Sequence, residues 1–335
     1  MRKCFALFVC SVLLTTFAAR AGQVVIRAGN TLPDDHAVNL GFFKFKELVA
    51  ARSNGEIVID IFTNGQLGSS DRELLDAAQM NNIGMCSVAG TNVTATAKEF
   101  SINDLFFAYD SPEMAWAVFD GPAGRKLLAS LERVGLKGLP GMEDGFRNLT
   151  NNRRTVLTVD DLRGIKMRVA ENPVQIAAWK ALGASPTPMA WGELFTAMQQ
   201  GTLDGQECTV VSIDTMHFYE VQKFMSLTRH NYTSHFSIFS KELWDGLTPA
   251  QQTLIEECHA EAVRFQRNLA TERTSGLLDK LRALGTLEIT ELNPEQMATF
   301  RERCRDVNEK IIKDRVGADL YDLFMSEIEK FRTEN

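Results

Sequence analysis

Short apolar runs alternate with amphipathic stretches along the first third of the chain. Residues 24–28 form an apolar run of strand length, and apolar side chains recur over residues 38–49 at i, i+4, i+7 and i+11, which is one face of a helix. Residues 56–62 are rich in β-branched side chains, residues 71–82 are helical in pattern, and residues 83–88 are again strand-like. This βαβαβ order with short connections predicts a mainly parallel sheet covered by helices.

A second α/β unit begins near Gly145. The pattern predicts a strand over residues 165–169, a helix over residues 173–182 and a further helix over residues 191–200. No Gly/Ser-rich linker separates this unit from the first. Two lobes without a flexible tether indicate that crossing strands join them and act as a hinge.

The last third of the chain is helical. Residues 248–251 read Thr-Pro-Ala-Gln, a capping box with proline at the first helical position, and the periodic pattern continues to Leu284. At about 1.5 Å per residue this helix would be roughly 54 Å long, longer than one small domain. We therefore expect it to lie across both lobes, with another helix starting at residues 293–296.

The first 21 residues have the pattern of a secretory signal. Arg2 and Lys3 precede an apolar run, residues 5–17, that is too short to span a bilayer, and Ala19-Arg20-Ala21 fits an A-x-A cleavage site. We predict cleavage after Ala21 and export to a periplasm or extracellular fluid; the alternative is a buried first helix. No second apolar segment of that kind follows.

Composition and net charge limit the classes of molecule that the chain is suited to bind. The 335 residues are 44% hydrophobic and 24% charged, which is globular composition, and 36 basic against 43 acidic residues give a formal charge of −7. An acidic chain without a basic block is poorly suited to binding nucleic acid or anionic lipid. We predict that nucleic acid is not a partner and that the mature chain does not itself span a membrane.

Four cysteines follow residue 21, and they are widely spaced: Cys86, Cys208, Cys258 and Cys304. This spacing excludes a C-x-x-C redox or zinc motif. Cys258 and Cys304 fall on predicted helices, and an oxidising compartment would permit a disulfide between them. Free, buried cysteines are an equally good interpretation.

Motifs of the common enzyme classes are missing. The sequence contains no G-x-S-x-G elbow, no phosphate-binding G-x-x-x-x-G-K-[ST], no dinucleotide-binding G-x-G-x-x-G after a strand, and no H-E-x-x-H. We predict no cofactor and no metal site.

Two arginines and one tryptophan stand out between residues 145 and 207. Arg168 lies inside an otherwise apolar strand, and Arg147 follows a strand in Gly-Phe-Arg-Asn-Leu. Burying an arginine is costly without an anionic partner, and its planar fork suits a carboxylate. The partner is either a ligand or a carboxylate of the protein, and these residues alone leave both open. Trp191 either stacks on a ligand or fills the core.

Several longer motifs resemble a known family. They are Asp-Leu-Arg-Gly-Ile-Lys-Met-Arg-Val at 161–169, Leu-Gly-Ala-Ser-Pro-Thr-Pro-Met at 182–189, Glu-Leu-Phe-Thr-Ala-Met-Gln-Gln-Gly at 193–201, Asp-Gly-Gln-Glu at 204–207, Phe-Tyr-Glu-Val-Gln-Lys at 218–223, and Gln-Leu-Gly with Asp-Arg-Glu at 66–73. In order and spacing they resemble the DctP-like substrate-binding proteins of tripartite ATP-independent periplasmic (TRAP) transporters. The resemblance covers essentially the whole chain after residue 21.

The resemblance implies a fold and an organisation. It implies an α/β, two-lobed periplasmic-binding-protein-like fold (type II-like), in which each lobe is a mixed sheet flanked by helices. We expect residues 22–144 with about 234–272 in lobe I, and residues 145–233 with about 273–335 in lobe II. Crossover strands and the long helix 249–284 would form the hinge and spine.

The resemblance also implies a function without chemistry. The protein would be a monomeric periplasmic receptor that closes on a small organic acid and delivers it to the TRAP membrane permease subunits. A ligand-presenting partner of a membrane sensor is the alternative. An enzyme on the same fold would need a positioned nucleophile, for which Cys208 is the one candidate.

On the family pattern, Arg168 binds the ligand carboxylate and Arg147 lies beside it. Trp191 lines the cleft, and Cys208 stands where the family usually has an asparagine that binds the ligand. The other residues expected at the ligand come from both lobes: Asn30, His36, Asp71, Arg72, Glu171, Asn172 and Glu207.

The ligand class is the least determined feature. Asn148, Asn151 and Asn152, together with Glu171-Asn172, concentrate amides and a carboxylate near the arginines. Hydroxyl groups need such partners, so a sugar acid such as a uronate is preferred. An aromatic acid, a 2-oxo acid and a C4-dicarboxylate are the alternatives.

Overall fold

The structure, a computed structural model, describes residues 22–335, so the predicted signal peptide lies outside the described residues. The strands are β1 Val24–Gly29, β2 Ile57–Phe62, β3 Met85–Ala89, β4 Leu136–Asn151, β5 Lys166–Val169, β6 Ser185–Pro188, β7 Gly205–Thr209, β8 Phe224–Ser240 and β9 Glu288–Glu291. The helices are α1 Ala37–Arg52, α2 Asp71–Gln79, α3 Gly90–Val93, α4 Pro112–Asp120, α5 Pro122–Ala129, α6 Pro173–Ala181, α7 Leu194–Gln199, α8 Val210–Thr215, α9 Lys241–Gly246, α10 Pro249–Leu284, α11 Pro294–Asp306, α12 Lys313–Val316 and α13 Ala318–Glu334. Short 3-10 segments lie at Lys98–Asp104, Ser130–Val134, Val159–Leu162, Trp191–Glu193 and Phe218–Glu220, and a π-helical turn at Val307–Ile312.

The strands form one continuous mixed sheet with two halves. Its order is β2-β1-β3-β8-β4-β7-β5-β6, and β9 pairs with β8. One half contains the parallel strands β2, β1 and β3, and the other contains the parallel strands β7, β5 and β6. The long antiparallel pair β4 and β8 runs through both halves, with β3 on one side and β7 on the other. These are the crossover strands of a two-lobed fold.

The predicted fold class is confirmed, and the pattern-based elements of the first third lie close to where they were expected. The prediction differs at the crossover strands. Arg147 was expected to follow a strand, but it lies inside β4, which continues to Asn151, and β8 was not predicted. The reason is that β8 is buried along most of its length while many of its side chains are polar, so it shows no period-2 alternation.

The long helix α10 has the predicted bounds, with the Thr248 capping box formed and Gly285 ending it in a left-handed conformation. Cys258 and Ala262 of α10 pack in an apolar cluster with α1 under the first half of the sheet. Leu281, near its other end, packs in a cluster under the second half. The helix therefore contacts both halves.

The division of the chain into lobes stays a proposal. The halves of the sheet agree with a boundary near residue 144, where β4 crosses. The last helix, α13, places Phe324 against Phe119 of α4 at 5.6 Å between ring centroids, so the end of the chain packs on elements of the first 144 residues.

Of the two interpretations left open for Cys258 and Cys304, the disulfide is wrong. All four cysteines of the described residues are free and buried. Cys258 belongs to the cluster between α1 and α10, whereas Cys304 of α11 belongs to a different apolar cluster with Phe300. Although α10 and α11 are consecutive helices, the two side chains are buried in separate clusters.

Between residues 22 and 335, no helix is long and apolar enough to cross a membrane.

Candidate functional site

A cavity lies between the two halves of the sheet, beyond the carboxyl ends of β1, β3 and β5. It contains about 410 Å³ of space not filled by atoms, part of which is open to solvent. Its wall consists of Thr31, Leu32, Asp71, Ala89, Thr91, Asn92, Asp144, Arg147, Arg168, Ala170, Trp191, Ser212 and His235. The carboxyl ends of parallel strands are where ligands bind in open α/β sheets.

Arg168 of β5 is the cation of the cavity that lacks a carboxylate partner. Its side chain is buried, and its Nε and Nη2 groups both donate to the main-chain oxygen of Met189, at 2.9 and 2.8 Å. Within the described part of the chain, no carboxylate oxygen lies within 4.0 Å of its nitrogens. Burial lowers the pKa of Arg168 to about 10, and nearby Arg147 acts in the same direction while Glu207 opposes it. The internal ion pair that was the alternative for Arg168 is therefore not formed.

Trp191 lies against this arginine. The guanidinium carbon of Arg168 is 5.5 Å from the centroid of a Trp191 ring, and the ring also packs on Phe218 at 5.5 Å. The Trp191 Nε1 group is buried and has no hydrogen-bond partner among residues 22–335. An unpaired buried donor on a cavity wall favours an acceptor on the ligand.

Arg147 of β4 is fully engaged by Glu207 of β7. Its Nε and Nη2 groups donate to the two carboxylate oxygens at 2.5 and 3.0 Å, and Nη2 also donates to the main-chain oxygen of Glu207 at 2.7 Å. His230 Nε2 lies 3.1 Å from Glu207 Oε2. Burial acts to raise the pKa of Glu207, but Arg147 and His230 outweigh it and hold that pKa at about 2. Glu207 thus orients Arg147 from behind and does not line the cavity.

Asp144 of β4 marks another part of the wall, opposite the N-terminus of α1. Thr209 donates to Asp144 Oδ1 at 2.8 Å, and His36 Nε2 lies 3.6 Å from the same oxygen. His36 Nδ1 accepts from the main-chain nitrogen of Val38, which leaves its Nε2 proton facing Asp144 and Ser212. Burial lowers the pKa of His36 to about 4, against the effect of Asp144, so this imidazole is neutral at pH 7.

His235 of β8 completes this part of the wall. Its Nε2 atom lies 3.9 Å from Asp144 Oδ2, and its ring centroid is 6.4 Å from that of His36. Its Nδ1 atom is buried and has no hydrogen-bond partner in the described chain. The sequence analysis did not single out Asp144, His235 or Ser212, because each is a single polar residue without a motif of its own.

Asp71, at the first position of α2, lines the cavity as predicted. Its carboxylate accepts from the main-chain nitrogen of Ala89 at 3.0 Å, from Asn92 Nδ2 at 2.8 Å and from Thr31 at 3.1 Å. These donors hold a carboxylate on the wall without a cation in contact.

Arg72 and Glu171 lie farther out. They line an adjoining cavity of about 360 Å³ that shares Asp71, Arg168 and Trp191 with the first. Both side chains are exposed, and Arg72 lies 3.9 Å from Asp76. The structure thus brings them to the rim of the site.

Three other predicted residues lie behind the wall or away from it. Asn30 donates to Asn39 at 2.6 Å and accepts from the main chain of Leu32, which shapes the loop after β1. His36 packs behind Asp144, as described. Cys208 is buried in an apolar cluster beneath β7, and burial raises the pKa of its thiol. A thiol in that state is a poor nucleophile.

Asn172 caps α6 and connects the two halves of the sheet. Its Nδ2 group donates to the main-chain oxygen of Thr91 at 2.7 Å and to Asp104 Oδ2 at 2.6 Å, while its Oδ1 atom accepts from the nitrogen of Val174. Gln175 donates to the other oxygen of Asp104 at 2.7 Å. Asn172 therefore holds together the segments that follow β3 and β5.

Among residues 22–335, no group of three or more His, Cys, Asp or Glu side chains is arranged to hold a metal ion.

The fold and the cavity define a solute-binding receptor with two lobes. The model of the family described as "DctP: Bacterial extracellular solute-binding protein, family 7" matches residues 28–314. The chain belongs to this family. Its homologues are periplasmic solute-binding proteins of TRAP transporters. They are receptors and not enzymes.

Named relatives of the chain are also solute-binding proteins. The 2,3-diketo-L-gulonate-binding periplasmic protein YiaO of Escherichia coli is 30% identical over 97% of this chain and 94% of its own length. The C4-dicarboxylate-binding periplasmic protein DctP of Rhodobacter capsulatus is 31% identical over 92% of each chain. The crystal structure of the sugar acid binding protein DctPAm of Advenella mimigardefordensis with galactonate has a TM-score of 0.88 and 33% identity, covering 92% of this chain and 98% of that one.

Proposed function

We propose that this protein is the periplasmic receptor of a TRAP transporter for a sugar acid, which it holds through Arg168 and delivers to the membrane permease. The observation that carries the proposal is the buried guanidinium of Arg168, which faces the cavity with no carboxylate in contact within the described residues. A buried charge without a partner is costly, and a ligand carboxylate would compensate it.

The preference for a sugar acid rests on the polar groups of the wall. Asp71, Asp144, Asn92, Thr31 and Ser212 offer acceptors and donors for several hydroxyl groups. The buried Trp191 Nε1 and His235 Nδ1 atoms of the same wall have no hydrogen-bond partner among residues 22–335, and ligand hydroxyl groups would supply partners for them. The galactonate complex of the relative from Advenella supports the same class, although the relative from Rhodobacter is named for C4-dicarboxylates.

Family membership supports both the permease as a partner and the periplasm as the location. The site residues predicted from sequence take different roles in this proposal. Arg168, Trp191 and Asp71 contact the ligand, Arg147 lies beside it, and Arg72 and Glu171 act at the rim. His36, Asn30, Asn172, Glu207 and Cys208 support the wall from behind.

Calorimetry on the Arg168→Ala variant tests the proposal. A thermal-shift screen of uronates, aldonates, 2-oxo acids, aromatic acids and C4-dicarboxylates first identifies the ligand, because a ligand at 100 times its Kd stabilises the fold by about 2.7 kcal/mol. Losing the partner of a buried charge costs about 2–5 kcal/mol, so affinity should fall at least 30-fold.

Arg163→Ala is the matched control, because Arg163 is exposed and pairs only with nearby Asp160 at 3.1 Å. Its affinity should equal that of the wild type. Unchanged affinity in Arg168→Ala would contradict the proposed carboxylate site. Stabilisation by aromatic or short dicarboxylic acids alone would contradict the sugar-acid assignment.

A further inference from the structure

We propose that the cavity accepts ligands with a single carboxylate and rejects dicarboxylates of the same skeleton, and that Asp144 is the residue that makes this choice. The proposal rests on the proposed function in one respect, the placement of the ligand carboxylate on Arg168. It goes beyond that function because it specifies the uncharged end of the ligand.

The first step concerns the cations on the wall. Both Arg147 and Arg168 line the cavity, and both are buried. Glu207 binds Arg147 through both carboxylate oxygens, so the charge of that arginine is already compensated at contact distance. Arg168 is the one arginine of the cavity wall whose charge no carboxylate of residues 22–335 meets within 4.0 Å. The site therefore compensates one ligand carboxylate.

The second step concerns the carboxylates on the wall. Asp71 and Asp144 both line the cavity, and neither has an arginine or lysine nitrogen within 4.0 Å among the described residues. The histidine nearest to Asp144, His36, is buried with its pKa lowered to about 4 and brings no charge at pH 7. A second ligand carboxylate would thus lie close to carboxylates of the same charge. In a buried site this repulsion is screened less than in water, so it is strong.

The third step concerns what Asp144 binds instead. Its Oδ1 atom accepts from Thr209, but its Oδ2 atom accepts no hydrogen bond from residues 22–335, and His235 Nε2 lies 3.9 Å from it. Asp144 lines the cavity, and a carboxylate oxygen with no donor of its own can accept a hydrogen bond from a ligand hydroxyl group. Asp144 thus favours an alcohol at the position where a dicarboxylate would place its second charge.

Calorimetry with matched ligand pairs tests the proposal on the unmodified protein. The pairs are galactonate and galactarate, 2-hydroxybutyrate and malate, and benzoate and terephthalate; each differs by one added carboxylate. In every pair that binds, we expect the monocarboxylate to bind at least tenfold tighter. A dicarboxylate that binds as tightly as its partner, or no binding by any monocarboxylate, would overturn the proposal.

The Asp144→Asn variant tests the residue. Asparagine removes the charge and keeps a hydrogen-bonding side chain, so the preference for the monocarboxylate should shrink at least threefold. Asp279→Asn is the control, because Asp279 is exposed on α10. This variant should prefer the monocarboxylate as strongly as the wild type does. A wild-type preference in a folded Asp144→Asn protein, verified by its thermal transition, would exclude Asp144 as the cause.

The pairs also separate this proposal from the proposed function. If 2-hydroxybutyrate or benzoate binds tightly and galactonate does not, the sugar-acid assignment is wrong, while the ratio in the binding pair still decides the single-carboxylate proposal. If galactarate binds better than galactonate, the sugar-acid assignment stands and the proposal made here is wrong.

Discussion

Two arginines of the same cavity differ in role because their partners differ. Arg147 is held by Glu207 through two carboxylate oxygens and a main-chain oxygen, whereas Arg168 is held by one main-chain oxygen. A bidentate carboxylate fixes both the position and the charge of a guanidinium. A main-chain carbonyl group also fixes the position of a guanidinium, but it carries no charge and does not neutralise the guanidinium. The partner of each guanidinium therefore decides which of the two arginines keeps a charge available to an anion.

Glu207→Gln should destabilise the fold by about 3–5 kcal/mol, because it leaves the buried Arg147 charge uncompensated. Urea unfolding at pH 7 measures this. Because the pKa of Glu207 is lowered to about 2 in the folded protein, its contribution is present above about pH 4.5 and is lost as pH falls towards 2. Glu171→Gln, at an exposed position, should change stability by less than about 0.5 kcal/mol. Equal effects of the two variants would contradict this account.

His259 of α10 should make the protein sensitive to acid. Burial, with a smaller effect of Arg267, lowers its pKa to about 3, while the unfolded value is 6.5. The unfolded state therefore binds more protons between these values, and stability falls as pH drops below 6.5. From pH 7 to pH 5, the free energy of unfolding measured in urea should fall by about 2 kcal/mol less in the His259→Gln variant than in the wild type. His217→Gln, at an exposed position, should follow the wild-type pH dependence; a parallel pH dependence for His259→Gln would refute the assignment.

Helices α1 and α10 cross closely beside β4, and Gly41 permits the contact. A Cβ atom on Gly41 would lie 2.7 Å from Gln266 Cβ and 2.8 Å from Met142 Sδ. Gln266 also donates to the main-chain oxygen of Glu143 at 2.6 Å and accepts from its nitrogen at 2.8 Å. These two bonds attach α10 to β4 beside the irregular register between Glu143 and Gly145. The helix pair thus fixes the point where the sheet crosses between the lobes.

Gly41→Ala should destabilise the protein by about 1–2 kcal/mol, because the clash outweighs the gain of about 1 kcal/mol in helix propensity. Gly276→Ala in α10 is the matched control, since a Cβ atom there meets nothing within 4 Å. It should stabilise the protein by about 0.5–1 kcal/mol. Thermal unfolding of the two variants should therefore move in opposite directions, and a shift in the same direction would contradict the packing argument.

Across the whole molecule, a buried polar cluster connects the segments that follow β3 and β5. Asn172 and Gln175 donate to the two oxygens of Asp104, and Asn172 also donates to Thr91. Burial raises the pKa of Asp104 to about 6, although the bonds from Thr91, Gln175 and Asn172 act against it. The bonds attach the start of α6, after β5, to the segment that follows β3 in an arrangement in which the two halves of the sheet close around the cavity. We infer that they stabilise the closed arrangement.

Asn172→Asp should weaken ligand binding about tenfold or more, although Asn172 does not line the cavity. Aspartate keeps the helix cap but places a second carboxylate beside Asp104, which disfavours the closed arrangement and reduces the population that binds. Calorimetry with the ligand from the thermal-shift screen measures the loss. Asn293→Asp, at the exposed cap of α11, is the control and should bind like the wild type. Wild-type affinity in both variants would contradict the inferred role.

Local patterns were sufficient for many of the elements. The helix starts at Pro173, Pro249 and Pro294 were all correctly predicted. Proline restricts its own φ and suits the first turn, and a capping side chain satisfies the free main-chain nitrogens, so both signals act within four residues. The strand that carries Arg168 was predicted for the same kind of reason, a short apolar run between turns. The family motifs extended these local signals to the fold class.

The partners of the polar residues depended on the tertiary structure. Glu207 lies 60 positions from Arg147, and only the antiparallel register of β4 and β7 brings their side chains into contact. The same register buries Cys208 in an apolar cluster, and the sheet keeps Cys258 and Cys304 in separate clusters. The spacing of apolar residues along the sequence indicates which face of a helix or strand is buried, because that face is formed by residues close together in the chain. Which charges meet depends on how distant strands align, and no local pattern encodes that alignment.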